Sequence, residues 1–216
     1  MLKLYETIDK LEADGKLNKE EFVYLLNNMS DSLSRYAIEK ARKKSLAYFG
    51  NRIYIRGLIE ISNYCKNDCY YCGIRKSNRN ARRYRLSKEE ILSCCRLGYD
   101  LGFRTFVLQG GEDPYFTDDI LSDIISEIKK RYPDCAVTLS LGERSRESYK
   151  RLFDAGADRY LLRHETANEA HYRKLHPENQ SLKNRKECLK ALKEIGYQTG
   201  TGFMVGSPWQ TNEHLA

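Results

Sequence analysis

The sequence contains no long apolar run, and it opens with charge where a secretory signal would be apolar. No stretch approaches the roughly 18 consecutive apolar residues that a membrane-spanning helix needs, and residues 1–6 already carry both a lysine and a glutamate. Hydrophobic residues make up 41% of the chain and charged residues 31%, which is typical of a globular protein in water. The seven cysteines are an odd number. We therefore expect reduced thiols, a cytoplasmic location and no membrane association.

Neither sign of charge dominates, and no nucleic-acid-binding module is recognisable. The chain carries 37 Lys and Arg against 30 Asp and Glu, a net charge of +7. Basic residues cluster only locally, within 79–85 and 183–193. A nucleic-acid-binding protein would present a basic face together with a known motif, so we expect no nucleic-acid partner.

The sequence also lacks the second cysteine pair that a structural zinc site would need. Such sites usually take four ligands from two separated pairs. Cys94 and Cys95 are adjacent in an amphipathic stretch, and Cys135 and Cys188 are isolated. Cysteines in such positions are most often small buried packing residues. Zinc is therefore the weaker interpretation of the cysteines in this chain.

Three cysteines fall within eight residues, in the spacing Cys65-x3-Cys69-x2-Cys72. Three thiols this close cannot all pair as disulfides, but three thiolates on one loop can bind three corners of a cubane iron–sulfur cluster. Most clusters have four cysteine ligands and only transfer electrons. A cluster with three leaves one iron open to a small molecule. We predict that these cysteines are metal ligands at a catalytic centre.

The pattern of apolar residues predicts an α/β fold preceded by helices. Residues 1–50 show helical spacing, as at Leu4, Ile8 and Leu11, and are predicted as an N-terminal helical segment. From residue 51 to 216 strands alternate with helices, which is typical of βαβ units and a parallel sheet. Predicted strands cover 53–61, 105–108, 136–141, 158–162 and 198–205. Predicted helices cover 87–101, 117–131 and 146–155, with helical material from 168 to 195.

Polar residues recur where successive predicted strands end, and this favours a (β/α) TIM-type barrel. Gln109, Ser140 and Arg163 lie at or just beyond such ends, which line one mouth in a barrel. A doubly wound dinucleotide-binding sheet would carry a glycine-rich loop after its first strand, where this chain has its cysteines. Five βα units leave a barrel open with an unpaired edge. We therefore expect a barrel that is incomplete at the C-terminus.

The segment 109–114 (Gln-Gly-Gly-Glu-Asp-Pro) follows the second predicted strand. Gly110 and Gly111 allow close approach of the backbone to a ligand, and the Glu112 carboxylate could accept from an ammonium group. Ordinary turn chemistry explains such a segment equally well. With the cysteines one unit upstream, it suits an amino acid that chelates the open iron through its amine and carboxylate.

These motifs resemble the radical S-adenosylmethionine (SAM) superfamily. The cysteine spacing with an aromatic Tyr71 before the third cysteine, the Gly-Gly-Glu run and the segment 200–206 carry the resemblance. Segments 57–63, 71–75, 140–143 and 160–168 resemble the HydE family of [FeFe]-hydrogenase maturases within it. Methylornithine synthase and biotin synthase share much of this pattern and remain alternatives.

The resemblance implies which residues bind the cofactors, a [4Fe–4S] cluster and S-adenosyl-L-methionine. Cys65, Cys69 and Cys72 would hold the cluster. The implied SAM-binding residues are Tyr71, Gly111, Glu112, Ser140, Arg163, Glu165 and Arg185. By strand parity Gln109 and Thr138 point into the chamber as substrate contacts. Each of these assignments has an alternative. Arg163 and Glu165 could form an ion pair at the strand end, and Arg185 could be a surface charge. Gln109 and Thr138 could serve only to satisfy backbone groups at the barrel end.

The resemblance further implies an anaerobic enzyme in which the reduced cluster passes one electron to SAM, giving methionine and a 5′-deoxyadenosyl radical. The substrate would be a small or organometallic molecule on the way to the hydrogenase active site. Ferredoxin or flavodoxin would donate the electron, and other hydrogenase maturases are expected partners. A non-catalytic iron–sulfur electron-transfer or carrier protein is the alternative of a different class.

Overall fold

The structure is a computed structural model that describes residues 2–216. The chain divides into two compact units: the residues up to Tyr54 together with Val205–Ala216, and Ile55–Met204. The sequence-based boundary between residues 50 and 51 stays a prediction.

The first unit is helical. Its helices are α1 (Leu2–Asp14), α2 (Lys19–Asn27), α3 (Asp31–Phe49) and α9 (Asn212–Leu215). Leu4 and Ile8 of α1 pack against Leu25 of α2 and Leu33 of α3, and all four are buried. The amphipathic spacing of these residues creates the apolar faces that hold α1, α2 and α3 together. None of the helices in residues 2–216 is both long and apolar enough to cross a membrane.

The second unit is a parallel sheet with interleaved helices, as the alternating pattern predicts. The strands are β1 (Gly57–Ser62), β2 (Thr105–Gly110), β3 (Ala136–Ser140), β4 (Arg159–Leu161) and β5 (Gln198–Gly200). The helices are α4 (Lys88–Asp100), α5 (Asp118–Arg131), α6 (Arg146–Asp154), α7 (Glu169–Leu175) and α8 (Leu182–Ile195).

The five strands pair in the order in which they occur along the chain, and every pairing is parallel. A doubly wound sheet reverses its strand order at a switch point. The present order has no reversal, so it has the topology of successive units of a (β/α) barrel. The α/β class and the barrel-type architecture are thereby confirmed.

Local signals explain where the helices begin and end. The Ser87 side chain accepts from the Glu90 backbone N–H, and the Glu90 carboxylate accepts from the Ser87 N–H, so the predicted capping box forms at the start of α4. Gly102, Gly156 and Gly196 follow α4, α6 and α8 with φ of 91°, 111° and 114°, the left-handed conformation that ends helices.

The core between sheet and helices includes Cys95, Cys135 and Cys188 as buried packing residues, as predicted.

Two strand predictions were too long by four or more residues at one end, and those for β3 and β4 were too long by a single residue at one or both ends. Residues 53–56 lie outside β1, because pairing begins where Gly57 meets Phe106 of β2. β5 ends at Gly200, although Phe203 forms one further isolated bridge with Glu165. The predicted helical material from 168 to 195 is two helices, α7 and α8.

Candidate active site

A cavity of about 400 Å³ lies at the carboxyl end of the sheet, where the predicted site residues converge. The cysteine loop follows β1 directly, and the ends of β2, β3 and β4 supply the other walls. Every predicted site residue except Thr138 lines this cavity: Cys65, Cys69, Tyr71, Cys72, Gln109, Gly111, Glu112, Ser140, Arg163, Glu165 and Arg185.

Thr138 lies two residues before Ser140 on β3 and is not a lining residue. It is buried, and its hydroxyl has no hydrogen-bond partner among the described residues. Thr138 shares a face of β3 with Ser140 by strand parity but lies two residues further from the carboxyl end of the strand, and its role as a substrate contact stays a prediction. At the mouth itself the register sets Glu60, Gln109 and Ser140 side by side, and Gln109 donates to Glu60 at 3.1 Å.

The three cysteines share one small region and are partly buried. Burial raises the pKa of the Cys65 and Cys69 thiols, and the neighbouring thiols raise it further. The Glu112 backbone N–H donates to Cys65 Sγ at 3.4 Å, and the Cys72 N–H bonds the Cys69 carbonyl at 3.0 Å. A bound cation would reverse the effect of burial by favouring the thiolates. The loop thus presents three sulfur donors that are partly shielded from water.

Among residues 2–216, no three His, Cys, Asp or Glu side chains are close enough to share a single metal ion. Ligands of one zinc ion all lie about 2.3 Å from the same centre when they are thiolates. In a cubane each cysteine binds a different iron, which spreads the sulfurs over a larger volume. Three partly buried thiols on one loop are a donor set that such a cluster can take.

Gly111 allows the end of β2 to touch the cysteine loop. A Cβ at this position would lie 2.2 Å from the Tyr64 carbonyl oxygen and 2.7 Å from Cys65 Cβ, so only glycine fits without displacing the loop. This close approach also brings the Lys66 N–H to 3.0 Å from the Glu112 carbonyl. The Gly-Gly-Glu segment and the cysteine loop therefore form one wall of the cavity.

The Glu112 carboxylate is held from two sides. Its Oε2 pairs with Lys66 Nζ at 3.2 Å, and its Oε1 accepts from the Glu143 N–H at 2.9 Å. Gly142, with φ of 76°, leaves the space that the Glu112 side chain fills, because a Cβ there would lie 2.1 Å from Glu112 Cγ. The carboxylate is therefore fixed beside the cysteines, where a ligand amine could bind.

Arg185 is buried in the site and is not the surface charge considered as an alternative. Its Nε donates to Glu143 Oε1 at 2.5 Å, and its Nη1 donates to the Arg163 carbonyl at 3.0 Å. Burial lowers the pKa of the guanidinium, but Glu143, Tyr172 and Glu112 together raise it overall. Arg185 thus holds the backbone at the end of β4 in place.

Arg163 and Glu165 do not form the strand-end ion pair considered as an alternative, as no such pair occurs in the described part of the chain. Burial raises the pKa of Glu165, while the positive charges of Arg163 and Arg185 oppose this rise. Glu165 has a φ of 64°, which is rare for a residue with a side chain. Its N–H bonds the Gly202 carbonyl at 3.1 Å. Such strain is often found where a fold fixes a side chain for binding.

Several groups around the cysteines were not predicted from the sequence. The Tyr71 hydroxyl lies 3.1 Å from His176 Nε2, and Cys69 Sγ donates to Gln180 Oε1 at 3.2 Å. His176 and Gln180 follow α7, more than 100 positions after the cysteines, in a connection that carries no motif. Glu143, by contrast, belongs to the segment 140–143 that carried the family resemblance, so its role could have been inferred there.

The sequence pattern of the radical SAM superfamily matches residues 59–216. The chain belongs to the radical SAM superfamily. The matched region contains the cysteine loop and every other residue placed in the cavity. Radical SAM proteins use a [4Fe–4S] cluster and S-adenosylmethionine, and the partly buried thiols, the tight Gly111 contact and the Arg163 and Glu165 side chains in the same cavity fit these two groups.

Two relatives indicate the nearer relationships of this radical SAM chain. It is 47% identical over 212 residues to the [FeFe] hydrogenase maturase subunit HydE of Thermotoga maritima, covering 98% of this chain and 59% of the relative. It is 30% identical to the 3-methylornithine synthase of Methanosarcina acetivorans, covering 92% of this chain and 56% of the relative. The chain thus spans under two thirds of the length of the curated relatives that it matches.

Solved structures give the same fold. A methylornithine synthase (PylB) superposes with a TM-score of 0.88 at 28% identity, covering 97% of this chain and 61% of that one. The [FeFe]-hydrogenase maturase HydG superposes with a TM-score of 0.85 at 27% identity, covering 98% of this chain and 48% of that one.

Proposed function

We propose that this chain is the cluster- and SAM-binding part of an [FeFe]-hydrogenase maturase of the HydE type. The observation that carries the proposal is the convergence of Cys65, Cys69 and Cys72 with Glu112 and Arg163 on one cavity. The 47% identity to HydE over nearly the whole chain supports the choice within the superfamily. We further propose that it acts in the cytoplasm under anaerobic conditions.

The residues have distinct roles in this proposal. Cys65, Cys69 and Cys72 hold the cluster, and Glu112 faces the methionine amine. Arg163 and Glu165, which have no ion-pair partner among the described residues, are available to the polar groups of SAM. A cluster held there would, once reduced, supply the electron for cleavage of the SAM sulfonium bond to methionine and a 5′-deoxyadenosyl radical. The protein binds and orients SAM and excludes water around the cut bond.

The proposed substrate is a small or organometallic molecule that enters from the open side of the cavity. Gln109 at the mouth is the candidate substrate contact, with Ser140 beside it assigned to SAM, whereas Thr138 would need a substrate that penetrates deeper into the barrel. Ferredoxin or flavodoxin is the proposed electron donor, and other hydrogenase maturases are the proposed partners.

Cleavage of SAM tests this function. Anaerobically reconstituted and reduced protein should release 5′-deoxyadenosine, quantified by chromatography. Cys69→Ala should abolish both the cluster absorbance and the product. Cys94→Ala is the matched control, because Cys94 is an exposed cysteine outside the cavity. A wild-type protein that holds a cluster but releases no 5′-deoxyadenosine would instead be an electron-transfer or carrier protein.

Methylornithine synthesis is the second candidate, favoured by the TM-score of 0.88 to PylB. Complementation separates the two. A host that lacks its own HydE should recover [FeFe]-hydrogenase activity when it expresses the full-length protein, and Cys69→Ala should not restore it. Formation of 3-methylornithine by the purified enzyme, without hydrogenase recovery, would favour the second candidate.

A further inference from the structure

Gln180 lies in the connection between α7 and α8 and touches the cysteine loop through its side chain. Cys69 Sγ donates to Gln180 Oε1 at 3.2 Å. The other end of the amide, Nε2, is buried and has no hydrogen-bond partner among the described residues. A strong donor therefore lies unused beside one of the predicted cluster ligands.

The hydrogen bond between Cys69 and Gln180 cannot survive metal binding in this form. A cysteine that binds iron is a thiolate and has no proton to donate. The amide oxygen would then face the lone pairs of a negatively charged sulfur. Rotation of the terminal torsion of Gln180 exchanges oxygen and nitrogen at little steric cost, since the two atoms are nearly the same size.

After this rotation Nε2 donates to the thiolate in a charge-assisted hydrogen bond, which is stronger than the neutral one that it replaces. The oxygen takes the position that Nε2 holds in the thiol form. A buried carbonyl oxygen without a partner is less rare than a buried N–H without one. The exchange of the amide oxygen and nitrogen therefore stabilises Cys69 as a thiolate ligand.

We propose that Gln180 donates a hydrogen bond to the Cys69 thiolate of the cluster and thereby raises the reduction potential of the cluster. The inference rests on the proposed cluster site. Reduction adds one electron to the cluster and makes its sulfurs more negative, so a donor stabilises the reduced state more than the oxidised state. The electron comes from the external donor, and no other bond changes. Gln180 acts through Cys69 and is a positioning residue.

The fold holds the Gln180 segment against the cysteine loop at two further points. The Tyr70 N–H bonds the Leu175 carbonyl at 3.0 Å, and Tyr71 bonds His176. The Gln180 N–H itself closes a turn onto the Pro177 carbonyl at 3.0 Å. Only the terminal amide group has to turn, so the donor is in place when the cluster forms.

An EPR-monitored redox titration of the reconstituted protein, without SAM, tests this inference. Gln180→Met removes the donor at similar volume, and Gln180→Glu keeps the shape but offers only acceptors and a negative charge. Gln198→Met is the matched control, because Gln198 begins β5 at the opposite end of the sheet. We expect the reduction potential of Gln180→Met to lie ~59 mV below that of the wild type, which corresponds to a tenfold change in the equilibrium of a one-electron reduction. It should fall further in Gln180→Glu and stay unchanged in Gln198→Met.

Equal potentials in the wild type and Gln180→Met would overturn the inference. So would the loss of iron from both Gln180 variants, because Gln180 would then hold the loop together and not tune the cluster. The titration is independent of SAM cleavage. A wild type that holds a cluster but cannot cleave SAM refutes the proposed function alone, and the order of potentials still decides the role of Gln180.

Discussion

At the scale of single residues, the position of the cysteine loop depends on the absence of a side chain at Gly111. The Gly111→Ala substitution would drive a methyl group into Tyr64 and Cys65, with contacts of 2.2 Å and 2.7 Å. Because the cysteine loop would have to shift, we expect the variant to bind less than half of the wild-type iron under identical reconstitution. Iron and sulfide analysis measures this.

Gly202→Ala is the control for this prediction. A Cβ at Gly202 would meet nothing within 4 Å, and its φ is not in the left-handed region. Iron binding should therefore be unchanged in Gly202→Ala. Full iron content in Gly111→Ala would show that the contact between the two loops is not needed to place the cysteines.

Arg163 is a cavity-lining guanidinium without an ion-pair partner among the described residues, and it tests the SAM-binding assignment. Loss of one charge-assisted hydrogen bond costs about 1.5–3 kcal/mol, so Arg163→Ala should weaken SAM binding by roughly 10- to 100-fold. Equilibrium binding to the reconstituted protein measures this. Arg159→Ala, at the other end of β4, should bind SAM normally, since Arg159 bonds Gln198 and Thr105. Equal affinities in the two variants would contradict the assignment.

The Asp113 carboxylate contributes to the free energy of unfolding, and its contribution depends on pH. Burial raises the pKa of Asp113, but bonds from Arg85 at 2.7 Å and Ser62 at 2.6 Å outweigh it and hold the pKa below its ordinary value of 3.8. The depressed pKa means that the stabilisation is complete above the ordinary value and is lost as the pH falls through the folded-state value.

Asp113→Asn should therefore lower the free energy of unfolding of the cluster-free protein by about 2–4 kcal/mol at neutral pH. The difference from the wild type should shrink as the pH falls below about 4. Urea denaturation at several pH values measures both effects. A difference that stays constant down to pH 2 would show that the Asp113 charge is not the cause.

Most residues that line the cavity could be predicted from the sequence because they lie close together or just after strands. Cys65, Cys69 and Cys72 form a local motif, and Arg163 follows a strand end. Gln180 and His176 could not be predicted, since they reach the cysteines only through the packing of a connection far along the chain. Neither residue belongs to a pattern that fixes its partner.

At the scale of elements, the helices are set by local signals that the sequence displays. Ser87→Ala removes the side chain that accepts from the Glu90 N–H, so α4 should lose about 1 kcal/mol of stability. Chemical denaturation measures this loss. Ser93→Ala, an exposed position within the same helix, should change stability by less than about 0.5 kcal/mol. If the two variants are equally stable, the capping box contributes nothing.

Strand ends were less predictable than helix ends. Residues 53–56 have the β-branched and aromatic side chains of a strand, but strand pairing starts only at Gly57. Ile53 and Ile55 are 88% and 67% exposed, so apolar character alone did not produce a strand there. A strand extends only as far as a neighbouring strand pairs with it, and the sequence of a segment does not show where that pairing begins.

At the scale of the whole molecule, sequential parallel pairing explains why residues from separate units meet. In this topology each strand delivers its C-terminal end to the same mouth, so Glu60, Gln109 and Ser140 become neighbours. The order could be predicted from the alternation of strands and helices together with the polar strand ends. The depth of a side chain in the barrel, as for Thr138, could not be predicted, because it depends on the curvature of the sheet.

The EPR spectrum of the reduced, reconstituted protein with and without SAM tests the central claim most directly. That claim is that three cysteines leave one iron of a [4Fe–4S] cluster open to SAM. The account predicts a [4Fe–4S] signal that shifts when SAM is added, because SAM would bind the iron that the three cysteines leave without a protein ligand. A spectrum that does not change with added SAM would contradict the account.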